Sequence, residues 1–517
     1  MPKRHASFSA AVATLIGMVG AALASTAYPD NSIWIAIFPA VAIMIYAIVS
    51  VDFRHSALVG FFTGLVFYAT QIPWMTTYLG PVPWLALSAL EGVIFALGAL
   101  AINLLWRFGR KNFAPLLTSA SLASLWTARE WVSCHVPYGG FPWSRLALSQ
   151  SNSPLANWVF WGGDSLLSFV IVFITVAAML TWRNQLRPSQ WGSSPVAAVI
   201  ALLLMVPLLT PTSNLDKATT LDVAAVQGNA NAGLFANPVA GSILQNHLSA
   251  SAPLQQATTK PAVVIWPENA ADENPLANAD AKWKIAKFTA EVNAPLIFGT
   301  ITNRGGEIFN SSILWLPNVG AVDWYDKKRP VPFGEYVPDR AFFRMLAPSL
   351  VDLIPRGYSF GTRDGIFVLP ASNTKLGTMI CFEIADDAIT RDLVSGGAQM
   401  IVVQTNNSDF GTSNESAQQF AIARLRAIES GRAVVNISTV SASAIILPSG
   451  KVIDSVPSYK PGMMRDLVPL SSAITPAMAY GNSLEIVNNS VAIAQILLIL
   501  LLAQRNRRSR TRGGIAK

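Results

Sequence analysis

The sequence predicts a polytopic α-helical membrane domain of about eight spans joined to an extracytoplasmic α/β layered domain. Three observations carry this expectation. Hydrophobic residues make up 52% of the 517 residues and charged residues only 13%, about half the charge of a typical soluble chain. Apolar segments near spanning length recur at 8–27, 33–50, 55–75, 83–106, 114–132, 158–182, 194–211 and 485–503. Between the last two lies a long segment of ordinary polarity with short β-branched runs.

The spans follow from charge placement as well as from hydropathy. With Lys3 and Arg4 inside, strict alternation puts Arg54, then Arg107, Arg110 and Lys111, then Arg183 and Arg187 inside. It also places the tail residues Arg505, Arg507, Arg508, Arg510 and Arg512 inside. The opposite loops near 76–82 and 133–157 hold no Lys and a single Arg, Arg145. Basic residues accumulate on the cytoplasmic side of membrane proteins, so both termini are expected in the cytoplasm and residues 212–484 outside. The first apolar run, ending in ALAS at 22–25, also fits a cleaved signal peptide; a retained anchor agrees with the even span count. The expected divisions are 1–211, a membrane domain with about seven helices; 212–484, the outer domain; and 485–517, the last span and basic tail. Glu91, Glu130 and Asp164 fall in or beside apolar segments, where acids are functional candidates. No clear basic residue is read within a span. GFPW at 140–143 reads as a tightly turned interfacial loop.

Net charge is +8, but its distribution at span ends points to topology, not to nucleic acid. Two distant cysteines give no disulfide framework, and His5, His55, His135 and His247 show no metal-ligand spacing. No cofactor or metal is expected.

In the outer segment, LDVAAVQGN (221–229), PAVVIWPENA (261–270), APLIFGTIT (294–302), SSILWLP (311–317), TKLGTMICF (374–382) and QMIVVQTNN (399–407) read as strands. Residues 413–431 read as a helix with Ser413 as N-cap, Glu415 in the first turn and Gly431 as the stop. Residues 432–448 read as a strand pair. Mixed strands and helices indicate a layered α/β domain.

Three apolar strand runs end in a reactive residue: Glu268 after VVIWP, Lys327 after AVDWYD and Cys381 after GTMI. Polar groups just past strand ends are where α/β sites assemble. The trio is chemically coherent. A thiolate attacks a carbonyl carbon, a carboxylate takes the thiol proton, and an ammonium stabilises the oxyanion. Taken singly, Glu268 also fits a helix cap, Lys327 a solvated charge and Cys381 a packed core thiol. The sequence has no GxSxG, HExxH or phosphate-binding loop motif.

The trio resembles the Glu-Lys-Cys triad of the nitrilase superfamily. VQGN (226–229), WPEN (266–269), YDKKRPVPFGEYVP (325–338), ICFE (380–383), TNNSDFG (405–411) and GFPW (140–143) occur in an order and setting similar to the bacterial apolipoprotein N-acyltransferase family. That resemblance runs from the first span to the last. It implies an α-β-β-α outer domain and a two-step acyl transfer in a bacterial plasma membrane. An sn-1 acyl chain of a membrane phospholipid would pass to Cys381 as a thioester, then to the α-amino group of a diacylated apolipoprotein N-terminus. Glu268 would be general base, Lys327 the oxyanion partner and Cys381 the nucleophile. Glu335 would fix Lys327 by ion pairing; Glu383 would orient Lys327 or the backbone after Cys381. The chain departs from the family where Tyr often follows the cysteine (Phe382 here), where Trp is usual (Asp409) and where a Trp follows the VQGN stretch (only Phe235 is near).

Phe235, Phe342, Phe343, Phe382 and Trp143 are the expected lipid or substrate contacts. AFFRMLAPSLVDLIP (341–355) is unusually apolar for a loop and reads either as core or as a lid dipping into the outer leaflet. The rival enzyme is a membrane-tethered nitrilase-type amidase acting on a small amide; a different class is a transporter or receptor whose outer domain only binds. Spans would block the surfaces through which soluble relatives assemble, so a monomer is expected.

Overall fold

A computed structural model describes residues 9–183, 195–217, 219–231, 239–354 and 357–513. Two compact units make up the chain: Met1–Thr76, Gly80–Thr210 and Ala479–Lys517 form one, Thr77–Leu79 and Pro211–Met478 the other.

In the first unit, helices Ala10–Ser25, Ile37–Val49, Phe53–Gln71, Pro81–Asn112, Pro115–His135, Val159–Arg183, Pro195–Met205 and Pro476–Gly513 coincide with the apolar segments. Among the described residues, four stretches are long and apolar enough to cross a membrane: Pro81–Gly109, Pro154–Thr181, Pro195–Leu215 and Pro476–Leu502. The Phe53–Gln71 and Pro115–His135 helices are more polar, and the reason lies in what they bury. Ser133 Oγ donates to Glu91 Oε2 at 2.6 Å and stands 3.0 Å from the Tyr68 hydroxyl. Arg129 Nη1 donates to that hydroxyl at 3.1 Å. Glu130 Oε1 accepts from Trp126 Nε1 and the Leu146 amide, each at 3.1 Å. Arg145 Nη1 lies 3.6 Å from Asp164 Oδ2. The expectation of no basic residue within a span therefore needs correcting: Arg129 sits in the Pro115–His135 helix and is buried. A buried charge survives where it is paired and hydrogen-bonded; Arg129 has the Tyr68 hydroxyl of another helix and, 3.8 Å away, the carboxylate of its neighbour Glu130.

Among its described residues, the second unit contains twelve strands: β1 (Thr220–Gln227), β2 (Val263–Ile265), β3 (Leu296–Arg304), β4 (Glu307–Leu316), β5 (Gly320–Asp326), β6 (Ile366–Leu369), β7 (Thr374–Ile380), β8 (Met400–Thr405), β9 (Val434–Ser438), β10 (Ser443–Ile446), β11 (Val452–Val456) and β12 (Gly462–Pro469). They form two six-stranded sheets, ordered β12-β1-β2-β3-β4-β5 and β11-β10-β9-β8-β7-β6. Side chains alternate across each strand, and β1 shows the consequence. Leu221, Val223 and Ala225 join a core shared with Leu376, Ile380, Val402 and Val435 of the other sheet. Ala224 and Val226 face the opposite way and pack with Leu244, Ile285 and Phe288 of helices Ser242–Ala250 and Ala279–Val292. Helices Asp387–Ser395 and Glu415–Ser430 pack against β7 and β9 of the second sheet. The result is an α-β-β-α sandwich. Each fully buried Val, Leu or Ile at its centre contributes about 1.5–3 kcal/mol, so the sheet-to-sheet register is strongly specified.

The Glu415–Ser430 helix ends at Gly431, whose φ of 64° is the left-handed stop. Its start is corrected: Asn414, not Ser413, precedes the first turn, and it caps without a side-chain bond. A 3₁₀ turn at Ser408–Phe410 and a left-handed Gly411 delay the helix, and the first-turn carboxylate of Glu415 is taken by Asn407 instead.

Candidate active site

Strand direction decides which side chains meet. β2 and β3 are parallel, β3–β4 and β4–β5 antiparallel, so β5 runs the same way as β2. Glu268, past β2, and Lys327, directly past β5, thus leave the same edge of the first sheet. Cys381 directly follows β7 in the second sheet.

Lys327 is 1% exposed and Glu268 5%. Lys327 Nζ lies 2.8 Å from Glu335 Oε2 and 3.9 Å from Glu268 Oε1. Asn310, buried on β4, donates one N–H to Glu268 Oε1 at 2.7 Å and one to Glu335 Oε1 at 2.9 Å. Glu335 Oε2 also accepts from the Val331 amide at 2.7 Å, which ties the carboxylate to its own loop. Gly299 lets this corner form. A Cβ there would fall 2.6 Å from Glu268 Cα and 2.8 Å from the Pro267 carbonyl oxygen, contacts that only displaced backbone can relieve.

Cys381 is half-buried, with φ at +53°, a left-handed conformation uncommon for residues with a Cβ. It opens the 3₁₀ turn Cys381–Ala385 at the strand end. Glu383 holds that turn in place. Fully buried, it accepts from the Ile380 amide at 2.8 Å, from the Lys328 and Arg329 amides at 2.7 and 3.0 Å, and from the Tyr325 hydroxyl at 2.8 Å. It ties the backbone before the cysteine to the backbone after Lys327. It bonds neither the Lys327 ammonium nor the backbone after Cys381 in this geometry.

The electrostatics are those of a closed, charge-coupled site. Burial pushes Glu268 up to about 7, against the pull of Lys327. Burial also works against the Lys327 charge, yet Glu335 and then Glu268 outweigh it and raise its pKa above the ordinary lysine value. Burial, then Glu268, push the Cys381 thiol well above its usual range while Lys327 pulls it down. Cys381 is therefore favoured as a neutral thiol, near a carboxyl poised close to neutrality, an arrangement that suits general-base chemistry.

The remaining candidates are distributed differently. Phe382 is half-buried next to Cys381. Phe342 is 52% exposed, with Met345 at 77% and Leu346 at 68%, on a short helix, Arg340–Leu346. Phe343 is half-buried and packs edge-on against Phe333 at 4.8 Å, while Val351 and Ile354 are buried. The segment thus has one anchored face and one bare apolar face. Trp143 is buried in the helical unit, 5.6 Å from Trp74 between ring centroids. Phe235 lies outside the described residues, as does Pro355.

Sequence reasoning missed Asn310, Gln419 and Glu415. Gln419 Nε2 donates to Cys381 Sγ at 3.6 Å; Glu415 is 2% exposed. The available signal was weak: an Asn beside two serines in the middle of a strand, and a run of polar residues on the helix face turned inward. Among the described residues no group of three or more His, Cys, Asp or Glu side chains is placed to hold a metal ion.

A two-sheet α-β-β-α unit with a glutamate, a lysine and a cysteine at the strand ends defines a nitrilase-type enzyme domain. Residues 222–473 match the carbon-nitrogen hydrolase family, and residues 20–177 match the apolipoprotein N-acyltransferase N-terminal domain. An apolipoprotein N-acyltransferase of Mycolicibacterium smegmatis is 32% identical over 95% of this chain and 85% of its own length. That of Pseudomonas syringae pv. tomato is 27% identical over 90% of this chain and 92% of its own. The chain belongs to the apolipoprotein N-acyltransferase family. Among solved structures, a mutant of the Nesterenkonia AN1 amidase from the nitrilase superfamily covers 51% of this chain and 94% of its own, at 13% identity and TM-score 0.39. Saccharomyces cerevisiae Nit3 covers 48% and 90%, at 14% identity and TM-score 0.38.

Proposed function

We propose that this chain transfers an acyl chain from a membrane phospholipid to the N-terminal α-amino group of diacylated apolipoproteins, through a thioester on Cys381. The observation that carries the reading is the clamp on Lys327, an ammonium held at 2.8 Å by Glu335 and shared with Glu268 beside a left-handed cysteine. In the first step, Glu268 takes the thiol proton as sulfur attacks the sn-1 ester carbonyl, and Lys327 stabilises the oxyanion. The proton passes to the departing glycerol oxygen and lysophospholipid leaves. In the second step, the acceptor amine attacks the thioester. Glu268 takes an amine proton and returns it to the cysteine sulfur. Glu335 and Glu383 act as positioning residues, one on the ammonium and one on the backbone.

On this reading residues 212–484 are the catalytic domain, on the extracytoplasmic side of a bacterial plasma membrane. Eight spans and two cytoplasmic termini follow the charge alternation. The bare apolar face at Phe342, Met345 and Leu346 is the lid that meets lipid, and the enzyme works as a monomer. The amidase alternative leaves that face and the membrane unit without a purpose.

The test is direct. Purified protein is incubated with phospholipid labelled in its sn-1 chain, then with a diacylated lipopeptide. A hydroxylamine-sensitive acyl label on the wild type, lost in Cys381→Ala and discharged by the lipopeptide, is expected. A wild type that turns over a small amide but takes no acyl label would favour the amidase and defeat the acyltransferase.

A further inference from the structure

The Cys381 sulfur has a polar partner outside the strand ends that bear Glu268 and Lys327. Gln419, on the Glu415–Ser430 helix, points Nε2 at Sγ from 3.6 Å. Sulfur is a weak acceptor as a thiol and a much better one as a thiolate, so this contact gains strength when the nucleophile ionises.

The direction of the Gln419 amide is fixed by its neighbours. Asn407 Nδ2 donates to Glu415 Oε2 at 2.7 Å and to Gln419 Oε1 at 2.8 Å. Asn407 Oδ1 accepts from the Thr405 and Ser438 hydroxyls at 3.0 and 2.7 Å. Every polar site on Asn407 is thereby used, and a carboxylate can only accept. Glu415 therefore sets which end of Asn407 faces the helix. Asn407 in turn takes the Gln419 carbonyl oxygen, which leaves the Gln419 N–H for the sulfur. Glu415, Asn407 and Gln419 are all buried, so water does not compete freely for these bonds.

We propose that Gln419 is a positioning residue for the nucleophile, with Asn407 and Glu415 as the latch that orients its amide. The proposal rests on Cys381 being the acyl-carrying residue. Gln419 holds the sulfur in one rotamer and stabilises the thiolate twice: as it forms during attack on the donor ester, and as the amine expels it from the thioester. The chain of bonds runs from Gln419 through Asn407, just past β8, back to the first-turn carboxyl of the same helix, so the sulfur is held from the covering layer as well as from the strand ends.

The test reads thiol chemistry and not acyl transfer. Full-length protein in detergent is alkylated with iodoacetamide from pH 6 to 10, and peptide mapping separates Cys381 from Cys134. A hydrogen bond to an ionised group is commonly worth a tenfold change or more. Gln419→Leu is expected to slow alkylation of Cys381 at pH 8 by about tenfold and to move its pH midpoint upward. Glu415→Leu should shift the profile in the same direction, and Glu415→Gln, which keeps an acceptor for Asn407, should recover most of the loss. A Gln419→Leu profile that overlays the wild type overturns the proposal. So does a Glu415→Leu defect that Glu415→Gln leaves unrepaired. If thermal unfolding shows Gln419→Leu to be misfolded, the two Glu415 variants decide. Failure of the acyltransferase reading appears separately, as a wild type that takes no label from phospholipid while its alkylation profile is unchanged.

Discussion

Replacing Asn310 with leucine is the sharpest probe of the base. Its two N–H groups go to Glu268 and Glu335, the carboxylates that flank Lys327, and leucine fills similar volume without either donor. A hydrogen bond to a charged acceptor is worth about 1.5–3 kcal/mol, and 1.36 kcal/mol corresponds to one pKa unit. The Asn310 bond holds Glu268 down, so its loss lifts the carboxyl from about 7 by roughly one to two units. The sign follows from the role. A general base works deprotonated, so acylation rises as pH climbs through the Glu268 pKa, and a higher pKa moves that rise to more alkaline pH. At pH 7 the ionised fraction falls from about half to between about a tenth and a hundredth, which slows acylation by about 5–50-fold. The measurement is single-turnover formation of the hydroxylamine-sensitive thioester from labelled phospholipid, pH 6 to 9.5. The slow phase should recover at high pH. A variant that keeps the wild-type midpoint, or is equally slow at pH 7 and pH 9.5, refutes the claim that Asn310 tunes the base.

Three further outcomes are expected. Gly299→Ala drives a methyl into the backbone of Glu268, so it should lower the unfolding midpoint, consistent with a cost of about 1–3 kcal/mol, and reduce thioester formation beyond that of a surface Gly→Ala control. Glu415→Gln should change the pH dependence of stability: burial lifts Glu415 from 4.5 to about 7, so the folded state binds the extra proton between those values and wild-type stability falls as pH rises through them. The variant should therefore gain about 1–3 kcal/mol on the wild type at pH 8 and little at pH 5, which thermal unfolding at the two pH values checks. Replacing Phe342, Met345 and Leu346 together with serine should slow acylation by phospholipid in vesicles about tenfold or more, yet leave iodoacetamide alkylation of Cys381 unchanged; equal loss in both assays would show a damaged site and not a lid.

Much of the second unit is legible in its sequence because a short apolar, β-branched run is a local signal. LDVAAVQ reads as a strand from its own residues, and β1 distributes Val223 and Val226 to opposite faces as strand geometry requires. The three reactive residues are visible for a related reason: each ends an apolar run. What no local pattern contains is the edge they share. That edge follows from two antiparallel reversals, β3 to β4 and β4 to β5, which return the chain to the direction of β2. Asn310 and Gln419 are illegible in a stronger sense. An amide in a strand or helix has no preferred partner until the tertiary register supplies one, and Gln419 meets Cys381 across 38 residues of chain. In the helical unit the same difficulty hides Arg129, whose hydroxyl and carboxylate partners make a buried guanidinium tolerable. The start of the Glu415–Ser430 helix was misplaced because Ser413 has the chemistry of a cap while a preceding turn takes away the geometry.

The electrostatics of the site explain why three acids near Lys327 do not do the same work. Glu383 directs its acceptor capacity to three backbone amides and a phenol, so its charge is already answered and it acts on shape. Glu335 answers the ammonium. Glu268 takes the Asn310 amide and the Asn406 backbone N–H and meets a lysine at 3.9 Å; its second oxygen is buried with no hydrogen-bond partner. That position fits the proton-acceptor role proposed for it. Its partner, the thiol, is pushed upward by the same burial that pushes Glu268 upward. Moving one proton from Sγ to the carboxylate converts a thiol and a carboxylate into a thiolate and a carboxylic acid. The net charge of the buried site is unchanged, whereas release of that proton to water would leave an added negative charge in a low-dielectric pocket. Ionisation of Cys381 is therefore costly alone and cheap when coupled to Glu268. In the proposed mechanism, Cys381 therefore attacks only with Glu268 taking its proton.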